Sequence, residues 1–311
     1  MRFAYSPCSL ELRTALQRAH ASDVAAGKHW LALLDGSMLD LKRLKALEEK
    51  FGVRADETLA GSPLGSFGRQ GPLSVSLPSE ASALIAALVQ LCAGKPGLSF
   101  VRPRGDAAKT TTALRWLSLA RTSDGAELHC RFADTRVTPS LLDALSPVQR
   151  ACVADGIERW TWPNRLGDDI ESRALSAGQR DSEETPSLVR NFDLNDLQYA
   201  HILGAAEADM VFQMLAEQMP DLLPVLPAGQ LHARIDRMLA AARARGLEDL
   251  PDLFQWTVIG LTTYDRFDTH PALATQWEPH DRAPRPFGDW ARQWPEDTWL
   301  ALEAAATQAS E

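Results

Sequence analysis

The sequence predicts an α/β fold in its first half and an all-helical lobe in its second half. In the first half, apolar runs of strand length alternate with helical stretches, which is typical of a mainly parallel sheet flanked by helices. Helical patterns continue after about residue 162, but no convincing strand does. A polar segment poor in aromatic residues separates the halves. We therefore expect an α/β domain over residues 1–163, a linker over 164–190 and a helical lobe over 191–311.

Each predicted strand is a short apolar run bounded by turn residues. The first, KHWLALLDG, ends in Asp35-Gly36, as a buried strand ends in a turn. The segments VRADETLAG and PLSVSLP are next and are equally short. The later strands are predicted in LSFVRPR, ELHCRFAD and IERWTW.

The predicted helices carry recognisable end signals. LDLKRLKALEEKFG ends in Gly52, which suits a helix C-cap, and Asp106 is expected to cap the helix that contains TTALRWLSLA. In the second half, a long helix stops at Pro220 and the next one closes at Gly246. The other predicted helices are ELRTALQRAH, SEASALIAALVQLCAG, one or two in TPSLLDALSPVQRACVADG, LEDLPDLFQWTVIGLTTY and HPALATQW.

Charge and composition narrow the classes of partner. The chain has a net charge of −9, and residues 187–311 hold 9 basic and 19 acidic side chains, a balance of 9 − 19 = −10. An acidic half argues against nucleic-acid binding and suits either a basic protein partner or simply a soluble surface. The sequence shows no long apolar run and no leader pattern, so we expect no membrane contact and a cytoplasmic location. We also expect a monomer when the protein is free of its partners.

Enzyme motifs are incomplete in this sequence. GDAAKTT lacks the glycine before lysine that a phosphate-binding loop requires, and GSPLGSFGRQG fits neither a dinucleotide fingerprint nor a nucleophile elbow, so we interpret it as a flexible loop. The seven histidines and four cysteines show no metal-ligand spacing, and His129 is expected to be a satisfied histidine rather than a general base. We expect no catalytic residue, no cofactor and no metal.

The segment LHCRFADTRV places three charges at the end of a predicted strand. Arg131, Asp134 and Arg136 are compatible with a catalytic site, an anion site or a structural clamp. Because buried charges persist only with partners, we favour a clamp in which Arg131 pairs with Asp134 and fixes the corner between strand and helix. An exposed contact patch is the alternative.

The order of these features resembles the effector-chaperone, or adaptor, family of bacterial type VI secretion systems. LALLDGS is similar to the family's opening strand, TALRWLSL to a later helix, and RFADTRV to its most specific motif, F-R-[FY]-[YW]-D-P-R-V-L. The chain departs from that motif at Ala133 and Thr135, and LSFVRPR carries Leu98-Ser99 where the family has Trp-Gly. LSPVQR and the helix start with Gln198 are also similar. The matching motif residues, which we expect to be structural or partner-contacting, are Asp35, Gly36, Arg115, Arg131, Phe132, Asp134 and Arg136.

The resemblance implies a non-enzymatic protein. Such adaptors bind the N-terminal region of a toxic effector in the cytoplasm and load the effector onto the VgrG spike, with or without a PAAR tip. Five of the nine tryptophans lie in the helical lobe, and Trp256 and Trp277 are our candidates for effector binding there. The alternatives are an α/β enzyme with a helical lid, such as a hydrolase or a nucleotide-dependent transferase, and an immunity protein that neutralises a toxin directly.

Overall fold

The computed structural model describes residues 3–176, 192–277 and 285–309. The chain divides into two compact units: Tyr5–Ala206 forms one, and Met1–Ala4 joins Glu207–Glu311 in the other. Below they are called the sheet unit and the helical unit. Within the described ranges, no helix combines the length and the apolar character needed to span a bilayer.

The main sheet of the sheet unit has six strands in the order β2-β3-β1-β4-β7-β8. Every neighbouring pair in this sheet is antiparallel. The central strand β1 pairs with β3 on one side and with β4 on the other. The strands span Leu31–Asp35 (β1), Ala55–Glu57 (β2), Pro72–Ser76 (β3), Leu98–Pro103 (β4), Ile157–Pro163 (β7) and Ile170–Ala174 (β8).

The expectation of a mainly parallel sheet is therefore wrong, although mixed α/β architecture is confirmed. Strands β3 and β4 are both antiparallel to β1, so they run in the same direction, as two strands joined through a helix commonly do. The position between them is occupied by β1, and no parallel neighbours result in this sheet. Alternation of strands and helices along the chain predicts the direction of each strand. It does not predict which strands lie next to each other in the sheet.

A second, three-stranded sheet has the order β6-β5-β9. It consists of Leu119–Thr122 (β5), Glu127–His129 (β6) and Phe192–Leu194 (β9), and β5 pairs in parallel with β9. The predicted strand ELHCRFAD is shorter than expected, because the strand ends at His129 and residues 132–137 form turns and a bend.

The prediction that no strand follows residue 162 is also wrong. Strand β8 lies inside the segment predicted as a linker, and β9 lies just beyond it. Both belong to the sheet unit. Strand β8 is polar because most of its side chains are exposed, and its composition therefore resembles that of a linker. Its backbone pairs with β7 along one side. Residues 177–190 of the predicted linker lie outside the described residues.

Helices of the sheet unit begin and end largely where the sequence signals place them. The Asp106 side chain accepts a hydrogen bond from the Lys109 backbone N–H at 2.9 Å, and Gly52 ends α2 in the left-handed conformation (φ 63°). A capping box of Ser146 and Gln149 starts α6. The helices are Leu10–Ala25 (α1), Leu41–Phe51 (α2), Ser82–Leu91 (α3), Ala107–Leu117 (α4), Thr138–Ala144 (α5) and Pro147–Gly156 (α6).

Both faces of the main sheet are covered by apolar side chains. Along β1, Leu33 belongs to a core cluster with residues of α4, α5 and α6, whereas Ala32 and Leu34 belong to a second cluster with residues of α1 and α3. Successive strand residues point to opposite faces, so a strand buried on both sides needs apolar residues at every position. This explains the uninterrupted run LALL in β1.

The helical unit packs its helices around a core rich in tryptophan. The long helix Asp196–Gln218 (α7) begins in the sheet unit and continues into the helical unit, and it ends before Pro220 as predicted. Gly246 follows the second helix with a positive φ of 79°. The further helices are Ala228–Ala244 (α8), Leu250–Thr262 (α9), Phe287–Ala291 (α10) and Glu296–Ala309 (α11).

Phe192 on β9 belongs to the core of the sheet unit, although it lies beyond the predicted linker. Its side chain is buried and lies with its ring centre 5.0 Å from that of Trp116. We expect Phe192→Ala to lower the free energy of unfolding by about 3–5 kcal/mol. The matched control is Leu197→Ala, because Leu197 is 83% exposed and its loss should change stability by no more than about 0.5 kcal/mol. Urea titration followed by tryptophan fluorescence measures both, and equal stabilities would contradict the assignment.

Candidate functional site

The structure brings two separate motifs together at the end of β1. Asp35 is the last residue of that strand, and Arg131 follows β6, 96 positions later. The Arg131 Nη2 donates to Asp35 Oδ2 at 2.7 Å and to the hydroxyl of Ser37 at 2.9 Å. Asp35 Oδ1 in turn accepts from the Ser37 backbone N–H at 3.1 Å and from the Ser37 hydroxyl at 2.6 Å. The result is a closed polar cluster around a buried carboxylate.

Asp134 has a different partner from the one we predicted. Its buried carboxylate accepts from Arg136, at 3.0 Å from Nε, 2.6 Å from Nη2 and 3.0 Å from the backbone N–H. The predicted Arg131–Asp134 pair is replaced because residues 132–137 turn rather than extend, which places Arg136 beside Asp134. Arg131 pairs instead with Asp35. The charged segment therefore holds its own turn through Arg136 and the end of β1 through Arg131.

Two other motif residues, Phe132 and Arg115, hold neighbouring segments of the sheet unit in place. Phe132 is completely buried and its ring centre lies 6.1 Å from that of Trp160 on β7. Arg115, on α4, donates from Nε to the backbone oxygen of Thr58 at 2.9 Å and from Nη2 to that of Ala60. Arg115 thus fixes the loop that follows β2, while Phe132 anchors the turn in the core.

Gly36 allows a loop to approach the end of β1 closely. A methyl group at this position would lie 2.0 Å from the backbone oxygen of Arg69 and 2.7 Å from that of Gly71. The Gly36 N–H donates to the same Gly71 oxygen at 3.0 Å. Only a residue without a side chain permits both the contact and the hydrogen bond, so the Asp-Gly sequence positions the loop Gly65–Gln70 beside Asp35.

These elements enclose a half-open cavity of about 240 Å³, which we call the motif pocket. Its floor and walls come from the end of β1, the glycine-rich loop, the start of β3 and the turn after β6. The lining residues are Asp35, Ser37, Phe67, Gln70, Gly71, Pro72, His129, Arg131, Phe132 and Ala133.

The pocket combines an exposed aromatic ring with a partly exposed guanidinium. Phe67 is 40% exposed and its ring centre lies 4.9 Å from that of His129. The side chain of Arg131 is 39% exposed. Loss of water around the His129 ring, and then the positive charge of Arg131, lower the pKa of His129 below its ordinary value. His129 is therefore neutral near pH 7 and can donate one hydrogen bond and accept another.

Sequence reasoning missed part of this pocket. The loop GSPLGSFGRQG was interpreted only as flexible, yet it contributes Phe67 and Gln70. A phenylalanine among glycine and polar residues, outside any helical or strand pattern, was the available signal. His129 was expected to be a satisfied histidine, but it lines the pocket.

The two tryptophans proposed for effector binding are buried. Trp256 and Trp277 belong to the core of the helical unit, with their ring centres 5.9 Å apart. The Trp277 indole N–H donates to the backbone oxygen of Asp268 at 3.0 Å. Indoles in these positions pack the core of the helical unit and offer no exposed anchor. Effector binding by these two residues stays a prediction.

Burial suppresses thiol reactivity at three of the four cysteines. Burial raises the pKa of Cys8 to about 11 and those of Cys92 and Cys130 to about 12, so these groups are protonated near neutral pH and are poor nucleophiles. No group of three or more metal-ligating side chains occurs within the described ranges.

Two glutamines from the weaker motifs also meet. Gln198, in the first turn of α7, donates from Nε2 to Gln149 Oε1 at 2.7 Å and to the backbone oxygen of Ala144 at 2.8 Å. Gln149 donates from Nε2 to the backbone oxygen of Asp193 at 2.6 Å. These contacts tie the start of α7 to α5 and α6 within the sheet unit.

Comparison with protein families identifies one match. Residues 30–152 match the model of a domain of unknown function, DUF4123. No curated protein and no solved structure matches the chain. All residues that line the motif pocket, from Asp35 to Ala133, lie inside the matched range.

The buried pair of Asp134 and Arg136 should stabilise the sheet unit. We expect Asp134→Ala to lower the free energy of unfolding by about 3 kcal/mol, the low end for breaking a buried pair, because Arg136 is partly exposed and water can solvate it. Asp143→Ala is the control, since its pair with Arg173 is exposed and such pairs contribute less than about 1 kcal/mol. Thermal and urea unfolding compare the two variants, and an unchanged Asp134→Ala protein would show that the pair has no structural role.

Gly36 offers a second test of how the pocket is built. We expect Gly36→Ala to cost at least about 1–3 kcal/mol, because the Arg69 and Gly71 backbone oxygens must move. Gly204→Ala serves as the control: a methyl group on this residue of α7 meets no atom within 4 Å and should stabilise the helix by about 0.5–1 kcal/mol. Differential scanning calorimetry measures both. Similar stabilities for the two variants would refute the close approach at Gly36.

Proposed function

We propose that this protein is a non-enzymatic adaptor that binds a type VI secretion effector in the cytoplasm and delivers it to the VgrG spike, with or without a PAAR tip. One observation carries the proposal. Three of the seven motif residues behind the resemblance to such adaptors, Asp35, Arg131 and Phe132, line one half-open pocket.

The composition of the motif pocket suits a protein ligand. Aromatic residues, phenylalanine among them, and arginine are enriched at the cores of protein–protein interfaces. Phe67 and Arg131 provide one of each on neighbouring walls. The volume of about 240 Å³ is below the usual range for drug-sized ligands and cofactors and is enough for one or two side chains of a partner.

The polar groups of the pocket support binding better than catalysis. The Ser37 hydroxyl donates to the Asp35 carboxylate and accepts from Arg131, and among the described residues no hydrogen bond joins it to His129. Activation of a hydroxyl nucleophile requires a base that is free to take its proton. The Asp35 carboxylate is likewise held by Arg131 and Ser37. Enzymatic alternatives gain no support from this arrangement.

The proposal moves the partner contact from the helical unit to the sheet unit. Trp256 and Trp277 of the helical unit are buried. The acidic balance of residues 187–311 remains, and we propose that it accelerates association with a basic effector without anchoring it. The anchoring contacts in this proposal belong to Phe67 and Arg131.

The test is binding to the N-terminal region of a large toxin encoded next to this protein. We expect the full chain to bind it, and Arg131→Gln to weaken the complex by about 10- to 100-fold, since a hydrogen bond to a charged group contributes about 1.5–3 kcal/mol. Arg54→Gln is the matched control, because Arg54 forms an exposed pair with Asp56 outside the pocket. Isothermal titration calorimetry gives the dissociation constants, and circular dichroism checks that both variants are folded.

Two outcomes would contradict the proposal. One is the absence of any complex between the wild-type chain and the toxin region. The other is equal affinity for wild type, Arg131→Gln and Arg54→Gln, which would place the contact outside the motif pocket.

A further inference from the structure

We propose that the motif pocket recognises a carboxylate carried on an apolar group, with Arg131 binding the carboxylate and Phe67 the apolar part. This inference deepens the proposed function and rests on it for the source of the ligand. It adds the chemistry of the group that enters the pocket.

Arg131 keeps donors for a ligand after it has paired with Asp35. Arg131 hydrogen-bonds to Asp35 and Ser37 from Nη2, and among the described residues its Nε and Nη1 have no bonded partner. A guanidinium N–H forms a charge-assisted hydrogen bond with a carboxylate oxygen. Nε and Nη1 can therefore each donate a single hydrogen bond to a ligand while Nη2 stays occupied.

Asp35 also lowers the cost of binding. The pair at 2.7 Å holds the Arg131 side chain in place before any ligand arrives, and an ordered side chain loses less conformational entropy on binding. Asp35 itself is buried and its oxygens accept from Ser37 and Arg131. It acts as a positioning residue and leaves the Nε and Nη1 donors of Arg131 to the ligand.

The hydrogen-bond donors inside the pocket suit a singly charged anion. Arg131 and Asp35 compensate each other, and His129 is the other titratable side chain in the lining. A carboxylate has two oxygens, and a single N–H of Arg131 and an imidazole N–H of His129 can each donate to one of them. A phosphate dianion requires more donors and more positive charge than these groups supply. A cation is disfavoured, because the Asp35 carboxylate in the lining is already paired with Arg131.

The apolar part of the ligand has its own surface. The Phe67 ring is 40% exposed and packs against His129, and Pro72, Phe132 and Ala133 complete the apolar lining. Covering an exposed aromatic ring removes apolar area from water and favours binding. A phenyl or branched alkyl group joined to a carboxylate by a short chain satisfies both ends of the pocket.

Small probes test this chemistry on the full chain. We use 3-phenylpropionate and its neutral isostere 3-phenylpropanamide, followed by NMR chemical-shift titration. The acid should bind about 10- to 100-fold more tightly than the amide, as expected for a charge-assisted hydrogen bond. Arg131→Gln should reduce binding of the acid to the level of the amide. Phe67→Ser should weaken both probes, and Arg54→Gln should change neither.

Two peptide arms identify the source of the carboxylate. N-acetyl-Gly-Ala-Phe carries it at the chain end, and N-acetyl-Gly-Glu-Phe-amide carries it on an internal side chain. Binding of the first alone assigns a chain terminus, and binding of the second alone assigns an acidic side chain. Binding of phenylpropionate without either peptide assigns a free small carboxylate.

Equal binding of acid and amide by the wild-type chain would overturn the inference, and so would no binding of either. That result stands even if Arg131→Gln fails to fold, because the comparison uses the wild-type protein, and Phe67→Ser tests the site without altering a charge. The effector titration separates this inference from the proposed function. A chain that binds the toxin region with loss in Arg131→Gln, yet shows no preference for the acid, remains an adaptor with a different ligand chemistry.

Discussion

Strand β1 has neither a free edge nor an exposed face, and the sheet unit is built around it. It pairs with β3 on one side and β4 on the other, and its residues enter core clusters on both faces of the sheet. Its backbone donors and acceptors and its side chains are thereby committed to the interior. The first position at which the chain can present polar groups is the end of the strand, at Asp35, and the motif pocket lies there.

The pocket is stabilised by the backbone hydrogen bond from Gly36 to Gly71 and by the ion pair of Arg131 with Asp35. Gly36 allows the glycine-rich loop to approach within hydrogen-bond distance, and Arg131 joins the turn after β6 to Asp35. A buried carboxylate is tolerated because its oxygens accept several hydrogen bonds. The same contacts that satisfy Asp35 hold the Arg131 guanidinium at the pocket wall, so structure and binding use one set of interactions.

The core of the helical unit differs from that of the sheet unit in its tryptophan content. Its tryptophans form a contiguous aromatic cluster in the core rather than a surface for partners, as the ring contacts of Trp256, Trp277 and Trp290 show. A small helical core gains much of its buried area from such large side chains. Tryptophan content alone does not separate packing from recognition, because both uses favour large side chains.

The sequence by itself determined what depends on neighbouring residues. Helix ends at Asp106 and Gly52, the apolar run of β1 and the turn at Asp35-Gly36 all follow from local hydrogen bonding, backbone conformation and the two-residue period of strands. Only the tertiary structure decided which strands are neighbours, that the polar strand β8 extends the sheet, and that Arg131 pairs with Asp35, 96 positions away, rather than with Asp134. Those choices depend on contacts between distant segments, and the energy of such a contact is not encoded in the residues next to either partner.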